Sequence, residues 1–323
     1  MATSSGWRQA WRRAGRVAAV ALAIAIALLA WSFAPSPLPP VAPWRGALPA
    51  AHPPAAMAVF ALPTGVTHRS AAFAYRGGSF RDARDFAMCA TLVRHPRGDV
   101  LIDTGFGRHV DAHLRRMPLA FRAITRYTRG RAVVEQLDAA GYDRTRLRAI
   151  LLTHAHWDHV SGLEDLPDTP VWVTATERRF IEEGGALSAV ARSLPAARFV
   201  SYAFDGPPYL GFPASHDVYG DGAIVVVPAP GHTPGSVIVF LALPGGRRFA
   251  LLGDLVWQLE GITRREERPW VQRTLGDHTP AAVRTQILRV AALSAAFPSM
   301  VLVPAHDRRG FAQMPVWPGA GAR

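Results

Sequence analysis

The sequence predicts an α/β domain carried behind an apolar N-terminal segment. Three observations lead there. Short apolar runs of strand length alternate with helical stretches along most of the chain. At four places a histidine or aspartate stands just beyond the end of such a run, at His154, His232, Asp254 and His306. The 323 residues are 49% hydrophobic, enough for one large domain and an appendage and far too apolar for disorder.

The appendage comes first. Arg8, Arg12, Arg13 and Arg16 precede the uncharged run from Val17 to Ala34, which is long enough to span a bilayer. The arginine asymmetry keeps residues 1–16 in the cytoplasm and places everything after Ala34 on the far, periplasmic or extracellular, side. An uncleaved anchor is favoured over a cleaved signal, because Pro35 directly follows Ala34 and no cysteine follows the run to accept a lipid. Residues 1–34 are thus read as anchor or signal and 35–56 as a proline-rich spacer that holds the domain off the membrane. Residues 57–323 form the main domain.

The formal charge is +12 and every basic residue is arginine. With abundant Ala, Gly and Pro this reads as genome coding bias, and no basic patch alternates with aromatics as a nucleic-acid groove requires. A nucleic-acid partner is therefore not expected; the partners are a small-molecule substrate and, through residues 17–34, a membrane. Oligomeric state is not legible. Cys89 lies in an apolar run, a core residue that excludes any internal disulfide.

In chain order, strands are expected at Val59–Leu62, Phe73–Tyr75, Phe86–Arg94 and Val100–Ile102. The last of these ends in Asp103-Thr104-Gly105, where Asp103 is either a turn former or a group that orients a ligand histidine. Met117 to Tyr127 is either core or an apolar wall over the site, with core favoured. A helix from Arg131 to Ala140 is stopped by Gly141. Arg148–Leu152 is a buried strand, Val171–Val173 another, and Thr176–Glu183 a helix. Leu187 to Asp221 reads as an irregular, aromatic-rich insertion. Strands at Ala223–Val227, Val237–Leu243, Arg248–Gly253 and Met300–Val303, with a helix at Pro280–Phe297, complete the domain.

The densest chemistry is His154-Ala155-His156-Trp157-Asp158-His159 at the end of the buried strand. Side chains two apart on an extended segment point the same way, so His154 and His156 can share one metal. Asp158 and His159 lie where the chain turns into a helix and face elsewhere. Two adjacent metals are the natural outcome. The histidines at 52, 68, 95, 109, 113, 216 and 278 lack such context and are read as surface or satisfied residues.

Together with Gly231-His232-Thr233-Pro234-Gly235, Gly253-Asp254 and Ala305-His306-Asp307, this motif resembles the metallo-β-lactamase-fold hydrolases over roughly residues 57–311. The resemblance implies a four-layer αββα sandwich. It implies two zinc ions, one at His154, His156 and His232, the other at Asp158, His159 and His306, with Asp254 bridging both. Zinc is favoured because di-iron members usually carry glutamate at the place of His156. The bridging aspartate is absent from the zinc β-lactamases and present in lactonases, glyoxalase-II thioesterases and several phosphodiesterases. Leu101 to Gly107 is most similar to the lactonase branch, yet the tyrosine that assists lactone opening there is Trp257 here. The implied activity is metal-activated hydrolysis of an ester-like carbonyl, a lactone or thioester ahead of a β-lactam or phosphodiester, with Asp158 and Asp254 catalytic. A non-catalytic metal-binding protein is the competing class.

Overall fold

The computed structural model describes residues 4–318; the outer ends of the expected anchor and domain, residues 1–3 and 319–323, lie outside the described residues. Helix α1 (Ser4–Phe33) leads through an extended segment to strands β1 (Ala58–Ser70), β2 (Ala83–Arg94) and β3 (Asp99–Ile102). Two short helices follow, α2 (Val110–Arg115) and α3 (Leu119–Ile124), then β4 (Arg126–Arg129), α4 (Val133–Ala139) and β5 (Leu147–Leu151). The chain continues through α5 (Trp157–Val160), β6 (Val171–Thr174), α6 (Ala175–Glu183), α7 (Ala189–Arg192) and β7 (Phe199–Tyr202). The second half holds β8 (His216–Asp217), β9 (Ile224–Pro228), β10 (Val237–Ala242), β11 (Arg248–Gly253), α8 (Glu260–Thr263), α9 (Trp270–Gly276), α10 (Pro280–Ala296), β12 (Val301–Pro304) and α11 (Arg308–Phe311).

The strands form a seven-stranded sheet, β4-β1-β2-β3-β5-β6-β7, and a five-stranded sheet, β12-β11-β10-β9-β8. An apolar layer between them joins Val59, Val93, Val100 and Leu151 of the first to Ile224, Val226, Val239 and Leu251 of the second. A second layer seats α4 and α7 on the outer face of the large sheet through Val134, Leu137 and Val190. A third seats α10 on the small sheet through Val283, Ile287 and Val290. Strands are apolar on both faces for this reason: β10 is buried at all six positions.

Register sets the site. In the parallel pair β3–β5, Ile102 stands opposite Leu151, so Asp103 leaves the sheet beside Thr153. In the parallel pair β11–β12, Gly253 stands opposite Pro304, so Asp254 and His306 leave the second sheet at the same edge. Gly253 has φ +53, and a Cβ there would lie 3.0 Å from the Thr153 side chain, so only glycine makes this turn without strain. The long β1–β2 pair shifts register between Pro63 and Gly65, where a bulge bends β1.

Several expectations need correction. Phe73–Tyr75 is not a strand: Ala71–Phe73 is a 3₁₀ turn, folded so tightly that a Cβ on Gly78 would sit 2.2 Å from the Ala71 carbonyl. The first strand is longer than expected and runs on to Ser70. The insertion from 187 to 221 contains β7, an edge strand, as well as α7 and β8. Met117 is buried and Phe121 packs on the core, whereas Leu119 and Ile124 are 76% and 64% exposed, so this stretch is only partly core.

The proline-rich segment does not stand free. Leu38 is buried in the layer under α10, its N–H donates to Arg265 O (2.8 Å), and the Trp44 N–H donates to Ala292 O (3.0 Å). Extended proline-rich backbone makes no bonds of its own, so its polar groups take partners on the domain surface. The end of α1 is docked as well. Ser32 is fully buried and its Oγ accepts from the Val271 N–H (3.2 Å). Arg76 donates to the carbonyls of Ala34 (2.8 Å) and Trp31 (2.9 Å), and the Phe33 ring lies 5.8 Å from Phe73 and 4.9 Å from Phe80. Residues 9–31 of α1 are exposed, and its stretch Gln9–Phe33 is long and apolar enough to cross a membrane.

Candidate metal centre

All seven residues singled out in the sequence converge at the shared edge of the two sheets. Three groups have potential ligand atoms within 4.8 Å of one another: His154, His156 and His232; His154, His159 and Asp254; and Asp158, His159 and His306. The ring centroids of His154, His156 and His232 are 4.6 to 4.7 Å apart. His154 and His156 come straight off β5, while α5 rotates Asp158 and His159 to the other side, as the change from extended to helical backbone requires. Asp254 sits between the groups. Its carboxylate lies 3.3 Å from His159 Nε2, 3.3 Å from His232 Nε2, 3.1 Å from His306 Nε2 and 4.0 Å from His154 Nε2.

The outer nitrogens are held by the protein. Nδ1 of His159 donates to Asp103 Oδ2 (2.8 Å), Nδ1 of His232 to Asp277 Oδ1 (2.8 Å) and Nδ1 of His306 to Ala87 O (2.8 Å). Thr153 Oγ1 donates to Asp103 (2.7 Å) and so accepts from His154 Nδ1 (3.2 Å). These bonds fix the tautomers and leave the Nε2 lone pairs facing inward. Nε2 of His154, His159 and His232 and Oδ1 of Asp254 are buried without a hydrogen-bond partner. Four orphaned acceptors aimed at one place fit divalent cations, and an imidazole and carboxylate donor set suits zinc.

Electrostatics follow from burial and from this crowding. Burial, helped by neighbouring imidazoles, drives His154 and His156 well below the usual histidine range, the neutral state a ligand needs. For His159 burial acts downward too, but Asp103 and Asp254 outweigh it. Burial alone would raise the carboxyl of Asp254; His306 and His159 instead hold it well below its ordinary value.

Three groups of the supporting frame escaped the sequence reading. Glu177, buried on α6, accepts from the Ala155 N–H (2.7 Å), the Thr233 hydroxyl (2.7 Å) and the Gly235 N–H (3.0 Å), tying the two loops that carry His154, His156 and His232. The only local signal was the Thr174-x-x-Glu177 spacing of a helix start, where Thr174 Oγ1 accepts from the Glu177 N–H (3.0 Å). Asp277 and Arg268 form a buried ion pair behind His232, and Arg268 also donates to Asp254 O (2.6 Å). Asp103 takes the orienting role that the sequence had left open against a simple turn. Trp257 turns its Nε1–H onto Asp254 Oδ2 (2.8 Å), under the Arg268 guanidinium at 5.2 Å. The other histidines stay outside: His68, His95, His113 and His216 pair with Asp85, Asp221, Glu164 and Asp205.

Comparison with known proteins agrees with this geometry. Residues 89–306, more than half of the chain, match the metallo-beta-lactamase superfamily model. A probable metallo-hydrolase of Mycobacterium tuberculosis is 31% identical over 230 residues, 67% of this chain and 73% of that protein. The N-acyl homoserine lactonase AttM of Azorhizobium caulinodans is 25% identical over 178 residues, 52% of this chain and 65% of the lactonase. Among solved structures, an N-acyl homoserine lactone hydrolase with N-hexanoyl-L-homoserine at its catalytic metal centre shares the fold at TM-score 0.63 and 16% identity, covering 81% of this chain and 97% of its own. The dizinc lactonase AidC does so at TM-score 0.55 and 17% identity, covering 81% and 89%. The chain belongs to the metallo-beta-lactamase superfamily and is one of its hydrolases, with lactonases among its relatives.

Proposed function

We propose that this protein is a dinuclear zinc hydrolase of ester-like carbonyl substrates, lactones or thioesters first, anchored by α1 with its catalytic domain on the outer side of the cytoplasmic membrane. The observation that carries the reading is the position of Asp254, within 4.0 Å of four imidazole nitrogens drawn from both halves of the site. A carboxylate there can serve two cations at once, the feature that separates lactonase-like and thioesterase-like branches from β-lactamases. His154, His156 and His232 would hold one ion and Asp158, His159 and His306 the other. Such ions supply Lewis acidity, which acidifies water and polarises a carbonyl oxygen.

The chain's own residues do the rest. Asp103, Asp277 and Ala87 O hold three imidazoles in the required orientation. Asp158, the most exposed carboxylate of the set, is placed to take a proton from water and return it to the leaving group. Trp257 spends its N–H on Asp254 and offers no phenol to a lactone. A panel of lactones, thioesters, a β-lactam and a phosphodiester, assayed on wild type and Trp257→Tyr, tests the proposal. Lactone or thioester turnover, with a higher lactone kcat/KM in Trp257→Tyr, is the expected result. Turnover of the β-lactam or phosphodiester alone would overturn the substrate class. Silence on the whole panel with full metal would overturn the enzyme reading.

A further inference from the structure

A cleft of about 570 Å³, within the size range of small-molecule sites, is lined by Arg69, which interacts electrostatically with Asp158, and by Gln258 and Asp307, which adjoin His306. Its wall is continuous with the ligands. Gln258 lines it and donates to His306 O (2.6 Å); Asp307, the residue after His306, accepts from the Leu259 N–H (2.9 Å). The end of β1 brings Arg69 into the cleft, the start of β2 brings Arg84, and α11 brings Arg308 and Arg309.

Three of these four arginines are already neutralised. Arg84 pairs with Asp82 (2.7 Å) and Glu260 (2.8 Å), Arg309 with Asp307 and Glu260 (both 2.6 Å), and Arg308 with Asp85 (3.1 Å). The Arg69 guanidinium has no hydrogen-bond or ion-pair partner among the described residues. Arg69 stands directly opposite Arg84 in the β1–β2 register, so both side chains leave the sheet on the same face, an arrangement that is unfavourable for like charges. Burial lowers the Arg69 pKa, and the one charge that opposes it is Asp158. Asp158 is itself grouped with His159 and His306 as a ligand, so it is not free to act as a partner. An arginine stays charged in any such setting and satisfies its fork with a planar or tetrahedral oxyanion.

We infer that Arg69 is the anion-recognising residue of the substrate cleft, binding a carboxylate or phosphate that the substrate carries beside its scissile carbonyl. The inference rests on the hydrolase reading above and narrows it to anionic esters, lactones or thioesters. Inorganic phosphate and succinate, titrated calorimetrically into the full-length, zinc-loaded protein in detergent, probe the cleft with Asp158 engaged as a ligand, and the Arg69 variants separate this binding from anion binding at the metals. Both sources of the anion are then compared directly: tighter succinate assigns a carboxylate, tighter phosphate a phosphoryl group. Arg69→Gln is expected to weaken the preferred anion at least tenfold. Arg69→Lys, which keeps the charge and loses the fork, should retain phosphate better than succinate; it also serves as the test if Arg69→Gln does not fold. In the zinc-loaded enzyme, kcat/KM for a carboxylate-bearing ester over its methyl ester should exceed ten in wild type, through KM, and fall towards one in Arg69→Gln. Equal anion affinity in wild type and both variants, or no anion binding at all, would overturn the assignment. A failed substrate panel with Arg69-dependent anion binding would instead refute the hydrolase reading alone.

Discussion

Asp103→Asn isolates the frame from the ligands. Asp103 has φ +54, a conformation that asparagine tolerates, so the backbone need not move. The carboxylate accepts from the Thr153 N–H (2.7 Å) at Oδ1, and from the Thr153 hydroxyl (2.7 Å) and His159 Nδ1 (2.8 Å) at Oδ2. With the amide oxygen on Thr153 N–H, the amide nitrogen faces two donors. The hydroxyl can rotate and accept; the imidazole can only tilt away or shift its proton to Nε2, the atom needed inside. Losing one charge-assisted bond costs about 1.5–3 kcal/mol, which corresponds to about 10- to 100-fold in zinc affinity. Competition with a chromophoric chelator measures this, alongside the Tm of the metal-free proteins. A zinc Kd within about twofold of wild type, or a fall in metal-free Tm with no change in Kd, would show that Asp103 is a structural staple and refute the argument.

Asp254→Asn and His156→Ala are each expected to lower metal content from about two zinc ions per chain, by elemental analysis, and to abolish turnover; one metal per chain in both wild type and Asp254→Asn would sink the dinuclear centre. Glu177→Ala strands two buried donors, the Ala155 and Gly235 N–H groups, at about 1–3 kcal/mol each, while the Thr233 hydroxyl keeps Ser236 Oγ (2.7 Å); a drop in Tm and in zinc affinity together is expected, and an unchanged Tm refutes its role as a tie. Glu260 is pushed up by burial but held down to about 2 by Arg309 and Arg84. Its depressed folded pKa contributes stability that is complete above the unfolded carboxylate range and is lost as pH falls towards 2, so Glu260→Gln should flatten denaturation curves below about pH 4.5; an unaltered acid limb would count against the clamp.

What could be read from the sequence is what strand periodicity carries. His154 and His156 share a face because they are two apart at a strand end, and Asp254 and His306 recur at strand ends for the same reason. The frame behind them is assembled across long separations: Glu177 joins residues 155 and 235, and Asp277 reaches His232. No local pattern encodes such a meeting. The edge strand β7 escaped notice because only Phe199 is buried while Val200 is 45% exposed, which gives a weak alternation. Proline content announced an extended chain in residues 35–56, correctly, but composition carries no information about the surface on which it lies.

The docked end of α1 makes the helix part of the domain's own packing. Removing residues 1–34 would take from Arg76 the Ala34 and Trp31 carbonyls, from the Val271 N–H its Ser32 acceptor, and from the Phe73–Phe80 pair the Phe33 ring, so a shortened chain is a different folding unit. Helix α9 begins beside Ser32 and ends at Gly276, where a Cβ would lie 3.9 Å from His232 Cε1. At seven residues it is about 10 Å long. If α1 crosses a bilayer as proposed, its docked end holds α9, and with it the His232 side of the candidate centre, within about one short helix of the end of the span.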